Sequence, residues 1–392
     1  MEVKQIYSLM NDVTTELLGK SDLVKEDLSN IVDVGTEIFN SSSIDSYVKS
    51  LVNRIGKTVF VNRVYSGSAP SMLFDSWEFG SVLQKINAEL PTATENDTWN
   101  LTNGQSYDTN VFYKPNISAK FFNKSVTFEV AMSFTERQVK QSFISVSELN
   151  AFLSMIENAV QNSMTVKVDS LIMRTINNMI IETVWDCFKS GDTKSATLQE
   201  LNTVTDIKAV NLLKLYNDKF AESLSVENAL SNSDFIKFAV FTINLYKDRL
   251  TKMSTLFNVG KKERFTPLAD LRLLTLSEFA SAVNSYLLAD TKNVNYTLLP
   301  QSENVAYFQA SGLNYNFADT SKIIAKSASG HDVTVTGVLA CMYDRNAMGV
   351  CNTDRRVTTN YNAKAEFYTN YYKFDSSYFN DLNENFVVFF VA

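Results

Sequence analysis

The chain has a single histidine, His331 in the segment SASGHDV, and this limits the catalysis it could perform. A Ser-His-Asp or Cys-His arrangement would need that imidazole as its base, and no G-x-S-x-G motif precedes it. The phosphate-binding patterns G-x-x-x-x-G-K-[ST] and G-x-G-x-x-G are absent, as is the zinc motif H-E-x-x-H. We therefore predict a structural role for His331.

The remaining reactive side chains also lack a chemical pattern. The chain has three cysteines, an odd number, at Cys187, Cys341 and Cys351, and no two of them have C-x-x-C spacing. A disulfide framework or a zinc site is therefore not expected. Free thiols fit a reducing cytoplasm. Carboxylate pairs such as Asp344 and Asp354 arise by chance among 43 acidic residues; they leave a glycosidase-type dyad open without indicating one. We predict no catalytic residue, no cofactor and no metal ligand, and hence a protein that is not an enzyme.

Composition indicates an ordinary globular chain with no dedicated nucleic-acid surface. The 392 residues are 45% apolar and 20% charged, with few glycines and prolines, and suggest two or three domains. A net charge of −7 argues against a dedicated nucleic-acid binder, and the short basic clusters at 261–264 and 355–356 are typical of solvated loops. We find no signal-peptide pattern and no apolar run of the length, about 18 residues, that a transmembrane helix needs.

The central elements that would position any functional surface are unusually long. VTFEVAMSF, residues 126–134, alternates strictly and predicts a strand with one buried face. A capping box, Ser145-x-x-Glu148, then opens a helical apolar stripe that continues to Cys187. About 43 residues at about 1.5 Å each give a rod of roughly 65 Å. A coiled coil is the second interpretation of this stripe.

Residues before this strand predict a projecting arm. A helix over 44–55 leads into a strand over 57–66. Fifty residues, 67–116, separate that strand from the next one, AKFFNKSVTFEVAMSF, and are mostly polar outside the short amphipathic piece WEFGSVLQKINAEL. Such a long insertion is usually functional. If the two strands pair at its base, it forms a hairpin-like arm. Because such an arm exposes apolar side chains in a monomer, we expect neighbouring copies to cover it.

The second half of the chain predicts an α/β region and closing strands. A helix over 231–253, a strand over 270–276 running into a helix near Ser277, and the strand HDVTVTGVLACMYD make up the first part. TTNYNAKAEFYTNYYKF predicts one long aromatic strand, and VVFFVA a buried one. The aromatic strand suits a packed sheet face or a subunit interface, and a stacking platform for bases or sugars is the alternative.

Four segments in this order resemble the major capsid proteins of tailed bacteriophages, most closely those of small short-tailed phages of the phi29 type. They are IDSYVKSLVNRIGKTVFVNRVYSG, NISAKFFNKSVTFEVAMSFTERQVKQSFISVSELNAFLSMIENAV, LRLLTLSEFASAVNSYLLADTKN and AKAEFYTNYYKFDSSYFNDLNENFVVFF. The resemblance covers nearly the whole chain. It implies an α+β phage capsid fold, the HK97-type or Johnson fold, with an N-terminal arm, an extended loop, a long spine helix, a peripheral sheet and an axial α/β domain.

The resemblance also implies domain boundaries: an N-terminal arm and helix over 1–57, an extended-loop arm over 58–125, a peripheral strand and spine helix over 126–191, an axial domain over 192–355 and closing peripheral strands over 356–392. The part of the arm from 64 to 118 would lie on the adjacent subunit. Its expected anchors are Phe74, Trp77, Phe79 and Trp99, because buried aromatics dominate such contacts.

The function implied is a structural subunit that assembles into the icosahedral head shell around a double-stranded DNA genome. Its expected partners are copies of itself in pentamers and hexamers, a scaffolding protein, a portal and packaged DNA touched without sequence specificity, with no membrane. The expected location is the virion, after assembly in the host bacterial cytoplasm. The alternatives are an encapsulin-like compartment shell, a phage surface or adhesion protein, and a carboxylate-based hydrolase using Asp344 in the 192–355 domain.

Overall fold

The computed structural model describes residues 3–18, 24–25, 27, 29–30, 32–34, 69–74, 83–91, 93–96, 99–107, 110–142, 146–190, 197–198, 201–202, 205–291, 302–309 and 316–392. The helix predicted over 44–55 and the strand predicted over 57–66 lie outside these residues, as does Ser145 of the capping box.

The described residues form a mixture of helices and strands. The strands are β1 (Leu73–Phe74), β2 (Leu83–Ala88), β3 (Ile117–Phe122), β4 (Ser125–Thr135), β5 (Lys189–Ser190), β6 (Thr197–Leu198), β7 (Ala209–Asn211), β8 (Leu271–Leu276), β9 (Ser302–Val305), β10 (Ile323–Lys326), β11 (Asp332–Val335), β12 (Val338–Asp344), β13 (Met348–Asn362), β14 (Phe367–Asn380) and β15 (Phe386–Phe390). The helices are α1 (Val3–Leu18), α2 (Glu136–Ser142), α3 (Val146–Phe188), α4 (Leu212–Phe220), α5 (Val226–Ala229), α6 (Ser233–Leu250), α7 (Ser277–Thr291) and α8 (Phe317–Thr320), and a single 3₁₀ turn covers Pro70–Met72.

These elements fall into two compact units. Unit 1 comprises Met1–Ser76, Ser125–Ile172 and Val350–Ser377, and unit 2 comprises Trp77–Lys124, Met173–Gly349 and Tyr378–Ala392. Helix α3 contributes residues to both. No helix in the described part of the chain is long and apolar enough to cross a membrane.

Unit 1 is built on a four-stranded sheet with the order β1-β13-β14-β4. The predicted strand over 126–134 is confirmed: β4 pairs antiparallel with β14, and its apolar side chains alternate with exposed ones, ending at the buried Phe134. The Phe134 ring meets Phe152 of α3 edge-on, with 5.5 Å between ring centroids. Thr135 and Gln138 exchange backbone–side-chain hydrogen bonds of 3.0 and 3.2 Å, a capping box that starts α2 directly after the strand.

The predicted long helix is confirmed as α3, with 43 residues. Its described N-terminal turns bury one stripe, represented by Ile156, Val160 and Met164. From Leu171 onward burial extends around most of the helix. This change follows from the sequence, in which apolar residues occupy one face at first and several faces later.

Unit 2 contains a mixed five-stranded sheet with the order β7-β15-β12-β8-β9. The predicted helix within 231–253 is confirmed as α6, which begins after Asn232, whose Oδ1 accepts the N–H groups of Asp234 and Phe235. The strand predicted to end at Leu276 and run into a helix is confirmed as β8 and α7. All five residues of β15 are buried, as its continuous apolar run predicts.

Three predictions of single strands are wrong, because each segment forms two strands. HDVTVTGVLACMYD breaks at Gly337, which adopts φ +72° between β11 and β12. TTNYNAKAEFYTNYYKF turns back between β13 and β14, where Asn362 Oδ1 accepts the N–H groups of Lys364 and Ala365. AKFFNKSVTFEVAMSF divides into β3 and β4, which belong to different sheets. The first segment changes from alternating burial in β11 to continuous burial in β12. Apolar and aromatic residues nevertheless continue on both sides of all three breaks, so the apolar pattern alone did not reveal them.

Candidate assembly surface

The clearest candidate surface is the hairpin formed by β2 and β3 together with the segment that joins them, which we call the hairpin arm, residues 83–122. The strands pair antiparallel from Leu83 opposite Phe122 to Ala88 opposite Ile117. A hairpin-like arm was predicted, but its first strand was placed at 57–66. The described partner of β3 is instead 83–88, inside the segment interpreted as an insertion.

One face of the hairpin is fixed by a buried carboxylate. The Asp381 side chain is fully buried and lies 3.3 Å from Lys85 Nζ and 3.2 Å from Lys120 Nζ, one lysine from each strand. Lys85 also donates to the carbonyl of Asn346 and lies 4.9 Å from the centroid of the Phe379 ring. We call Lys85, Lys120 and Asp381 the clamp.

The chain holds Asp381 rigidly in place for this role. Its backbone N–H donates to Ala347 O at 2.7 Å, and its Oδ1 accepts the Asn383 N–H at 3.2 Å. Asp381 thus begins the turn that joins β14 to β15. A buried carboxylate is costly unless it is paired and hydrogen-bonded, and here two lysines and a backbone N–H provide the partners.

A second ion pair ties the far end of the hairpin to the loop after α6. Glu89 lies 2.5 Å from Lys262 Nζ and accepts the Asn116 amide at 2.6 Å. The Glu89 N–H also donates to Asn116 O at 2.9 Å, which extends the hairpin by one pair. The hydrogen bond from Lys262, followed by that from Asn116, holds the pKa of Glu89 below its usual value.

The opposite face of the hairpin is apolar and exposed. Ile86 is 66% exposed, Ile117 60% and Phe121 64%. A hairpin that packs only within its own chain would place these side chains inward and its lysines outward. Here the lysines point inward to Asp381, and the apolar side chains remain in solvent.

The segment between the strands exposes further large apolar side chains. Trp99 is 95% exposed, Phe112 84% and Tyr113 85%. Among the described residues of the hairpin arm, the other large apolar side chains that are exposed are Leu90, Leu101, Tyr107 and Val111. Many large apolar side chains exposed within one segment are typical of an interaction site.

The four anchors predicted from the sequence lie in different places. Trp99 belongs to the hairpin arm, and Phe74 lies half-buried in β1, where it pairs with Cys351 in unit 1. Trp77 and Phe79 lie outside the described residues. The sequence reading missed Phe112 and Tyr113, although they form an aromatic pair in an otherwise polar stretch.

The side chains considered for catalysis have structural environments. His331 stacks on Trp185 with 4.6 Å between ring centroids. Cys187 donates to Asp206 at 3.2 Å, and burial raises the pKa of its thiol. Asp344 is buried and accepts the Asn346 N–H at 2.8 Å, and burial raises the pKa of this carboxyl.

Comparison with known proteins identifies the family. A family model described as the Phi29-like phage major capsid protein matches residues 10–390. The chain belongs to this family. It is therefore a phage capsid shell protein, a structural component of the virion, and capsids are assembled from many copies of such a chain. The compartment-shell, adhesion and hydrolase alternatives receive no support from this match.

One of the similar solved structures, the first below, supports this assignment at the level of the fold. The chain is similar to a chain in the capsid structure of Staphylococcus phage Andhra, with a TM-score of 0.52, 11% identity, and 84% of this chain and 85% of that chain covered. A chain in the capsid structure of cyanophage P-SCSP1u matches with a TM-score of 0.48 and 8% identity, covering 84% and 89%. No curated protein matches the sequence. The predicted α+β phage capsid fold is thus confirmed.

Proposed function

We propose that the protein assembles into a closed icosahedral head shell around double-stranded DNA, and that the hairpin arm lies on an adjacent subunit. The observation that carries the second part is the orientation of the hairpin. The clamp directs its charged face toward the subunit's own body and leaves Ile86, Ile117 and Phe121 facing outward. A neighbouring copy supplies the missing apolar cover.

The joining segment contributes the strongest anchor of this contact. Trp99 is almost fully exposed in the single chain, so its burial by a neighbour adds favourable free energy that the isolated subunit does not have. Full burial of a large apolar side chain stabilises by about 1.5–3 kcal/mol. Every subunit of a shell repeats the contact, so modest gains suffice for closure. Phe74, Trp77 and Phe79 remain proposed additional anchors.

The domain division predicted from the sequence belongs to the same proposal: arm 1–57, extended loop 58–125, spine 126–191, axial domain 192–355 and closing strands 356–392. A scaffolding protein and a portal complete the assembly, which takes place in the host cytoplasm. The net charge of −7 is compatible with enclosed DNA, because counterions neutralise most phosphate charge.

The test compares particle formation by the full chain and by Trp99→Ala, using sedimentation and electron microscopy. Wild type is expected to form closed hollow particles. If Trp99→Ala removes about 2 kcal/mol of contact free energy per subunit, the protein concentration needed for assembly rises by roughly 30-fold. The free subunit keeps its stability, because Trp99 makes little contact within it.

Two further variants make the test specific. Trp99→Phe keeps an aromatic anchor and is expected to assemble nearly normally. Gln105→Ala changes an exposed polar side chain of the same segment and is expected to match wild type. Assembly of Trp99→Ala at the wild-type concentration would contradict the proposed contact.

A further inference from the structure

The joining segment of the hairpin arm contains a dipeptide with its own chemistry. Of the twelve glycines in the chain, only Gly104 follows an asparagine, in the segment LTNGQS. Asn103 and Gly104 occupy the centre of a turn closed by the Gln105 N–H, which donates to Thr102 O at 3.3 Å. Both are exposed, and Gly104 adopts φ +85°.

An asparagine in this position can react with its own backbone. The Gly104 nitrogen attacks the side-chain carbonyl carbon of Asn103, a C–N bond forms, and the side-chain nitrogen leaves as ammonia. The product is a five-membered cyclic imide. Water then opens the ring at either carbonyl and yields aspartate or isoaspartate, so the sequence needs only water and no enzyme or oxidant. Asparagine is for this reason among the thermally labile residues.

The structure provides the conditions for this attack. A Cβ built on Gly104 would meet no atom within 4 Å, so no packed neighbour encloses this glycine. In the part of the chain that the structure describes, neither the Asn103 amide nor the Gly104 N–H has a hydrogen-bond partner. The Thr102 N–H donates to the Tyr107 hydroxyl at 3.2 Å, which anchors the start of the turn.

We propose that Asn103 is a site of self-catalysed modification in the free subunit, and that cover by a neighbouring subunit slows the reaction. The second part rests on the proposed function of the hairpin arm. The product places a carboxylate four residues from Trp99 and, as isoaspartate, lengthens the backbone. Burying that carboxylate against a neighbouring subunit is unfavourable, so modified subunits assemble less well than unmodified ones.

Other asparagines in the chain are internal controls. Asn162 is exposed and precedes the small residue Ser163, but both lie within α3, whose backbone is fixed by helical hydrogen bonds. Asn232 precedes Ser233, but its Oδ1 accepts the N–H groups of Asp234 and Phe235, both at 2.9 Å. Neither backbone can reach the geometry of attack without local unfolding.

The experiment is peptide mapping by mass spectrometry of the full-length protein aged in mildly alkaline buffer. The acid form of the peptide containing Asn103 is expected to accumulate at least about tenfold faster than that at Asn162 or Asn232, because Asn103 lies in an exposed turn, whereas helical or capping hydrogen bonds hold the other two. Asn103→Gln is expected to suppress the reaction, since the glutamine side chain must close a six-membered ring. Equal rates at Asn103 and Asn162 would overturn the proposed site.

Assembled particles, aged in parallel, test the second part separately. Slower conversion of Asn103 in particles than in free subunits supports cover by a neighbour. Equal conversion in both states would contradict the cover and the proposed arm contact, while the modification site itself would stand.

Discussion

Replacing Asp381 by asparagine tests whether the clamp sets the orientation of the hairpin arm. The substitution preserves the size of the side chain and an oxygen that can accept the Asn383 N–H. It removes the negative charge between Lys85 and Lys120 and places an amide donor beside two ammonium groups. The turn therefore remains, whereas the attraction that holds both strands is lost.

The expected cost follows from the burial of the three groups. Removing one partner of a fully buried ion pair costs about 3–5 kcal/mol. The Asp381 side chain is fully buried, but those of Lys85 and Lys120 are 18% and 39% exposed, so both lysines regain some hydration. We expect a loss of about 2–3 kcal/mol in the local stability of the hairpin, below the fully buried limit for that reason.

Hydrogen exchange at the amides of β2 and β3 measures this loss directly, because local opening controls exchange. A loss of 2–3 kcal/mol corresponds to exchange faster by roughly 30- to 150-fold. Asp218→Asn is the matched control: it removes one carboxylate from the exposed pair with Lys214, 2.9 Å apart, and is expected to cost no more than about 0.5 kcal/mol. If Asp381→Asn leaves hairpin exchange as slow as in this control, the clamp does not hold the arm.

Three other predictions concern single positions. Gly337→Ala would place a Cβ 1.9 Å from Val391 O, whereas the control Gly330→Ala, at a similar positive φ, would place its Cβ in open space. In urea unfolding, Gly337→Ala is expected to lower the free energy of unfolding by at least about 2 kcal/mol more than Gly330→Ala does. The pKa of Glu89 is lower in the folded chain than in the unfolded one, so the ionised carboxylate stabilises the fold above its unfolded pKa. This stabilisation is lost as the pH falls through the lowered, folded-state pKa. The difference in stability between wild type and Glu89→Gln should therefore vanish in acid. Burial raises the pKa of Asp344, so the folded chain loses stability as the pH rises through that raised pKa. Asp344→Asn should remove this loss in the same titration and should still assemble. A variant that is stable but does not assemble would contradict a purely structural role for Asp344.

The sequence predicted the elements that local pattern determines. The alternation of β4 and the stripe of α3 each extend over many residues, so a single irregular position does not hide them. The failures lie at short interruptions. Apolar residues continue on both sides of the break at Gly337 and of the turn after Asn362, and that turn contains no glycine or proline to mark it.

The clamp could not be predicted, because its partners are distant in sequence. Lys85 and Asp381 are 296 residues apart, and Lys120 and Asp381 are 261 apart. Each side chain alone reads as an ordinary charged residue on a solvated face. Only the folded chain shows that two lysines from paired strands meet one buried carboxylate on the inward face of the hairpin.

The hairpin also shows why an alternating pattern is ambiguous in a protein built to assemble. Alternation identifies a strand with two unlike faces, but the usual rule that the apolar face is internal assumes a single chain as the folding unit. In β2 and β3 the face that carries the two lysines makes the contacts within the subunit, and the face with Ile86, Ile117 and Phe121 is exposed, which is the face we propose a neighbour covers. Substituting Lys85 and Lys120 together by leucine would make both faces apolar and leave Asp381 buried without its lysines. Such a chain should fail at the folding of the hairpin before it fails at assembly, whereas Trp99→Ala should fail at assembly alone. If both variants fold equally well and differ only in particle formation, the assignment of the two faces is wrong.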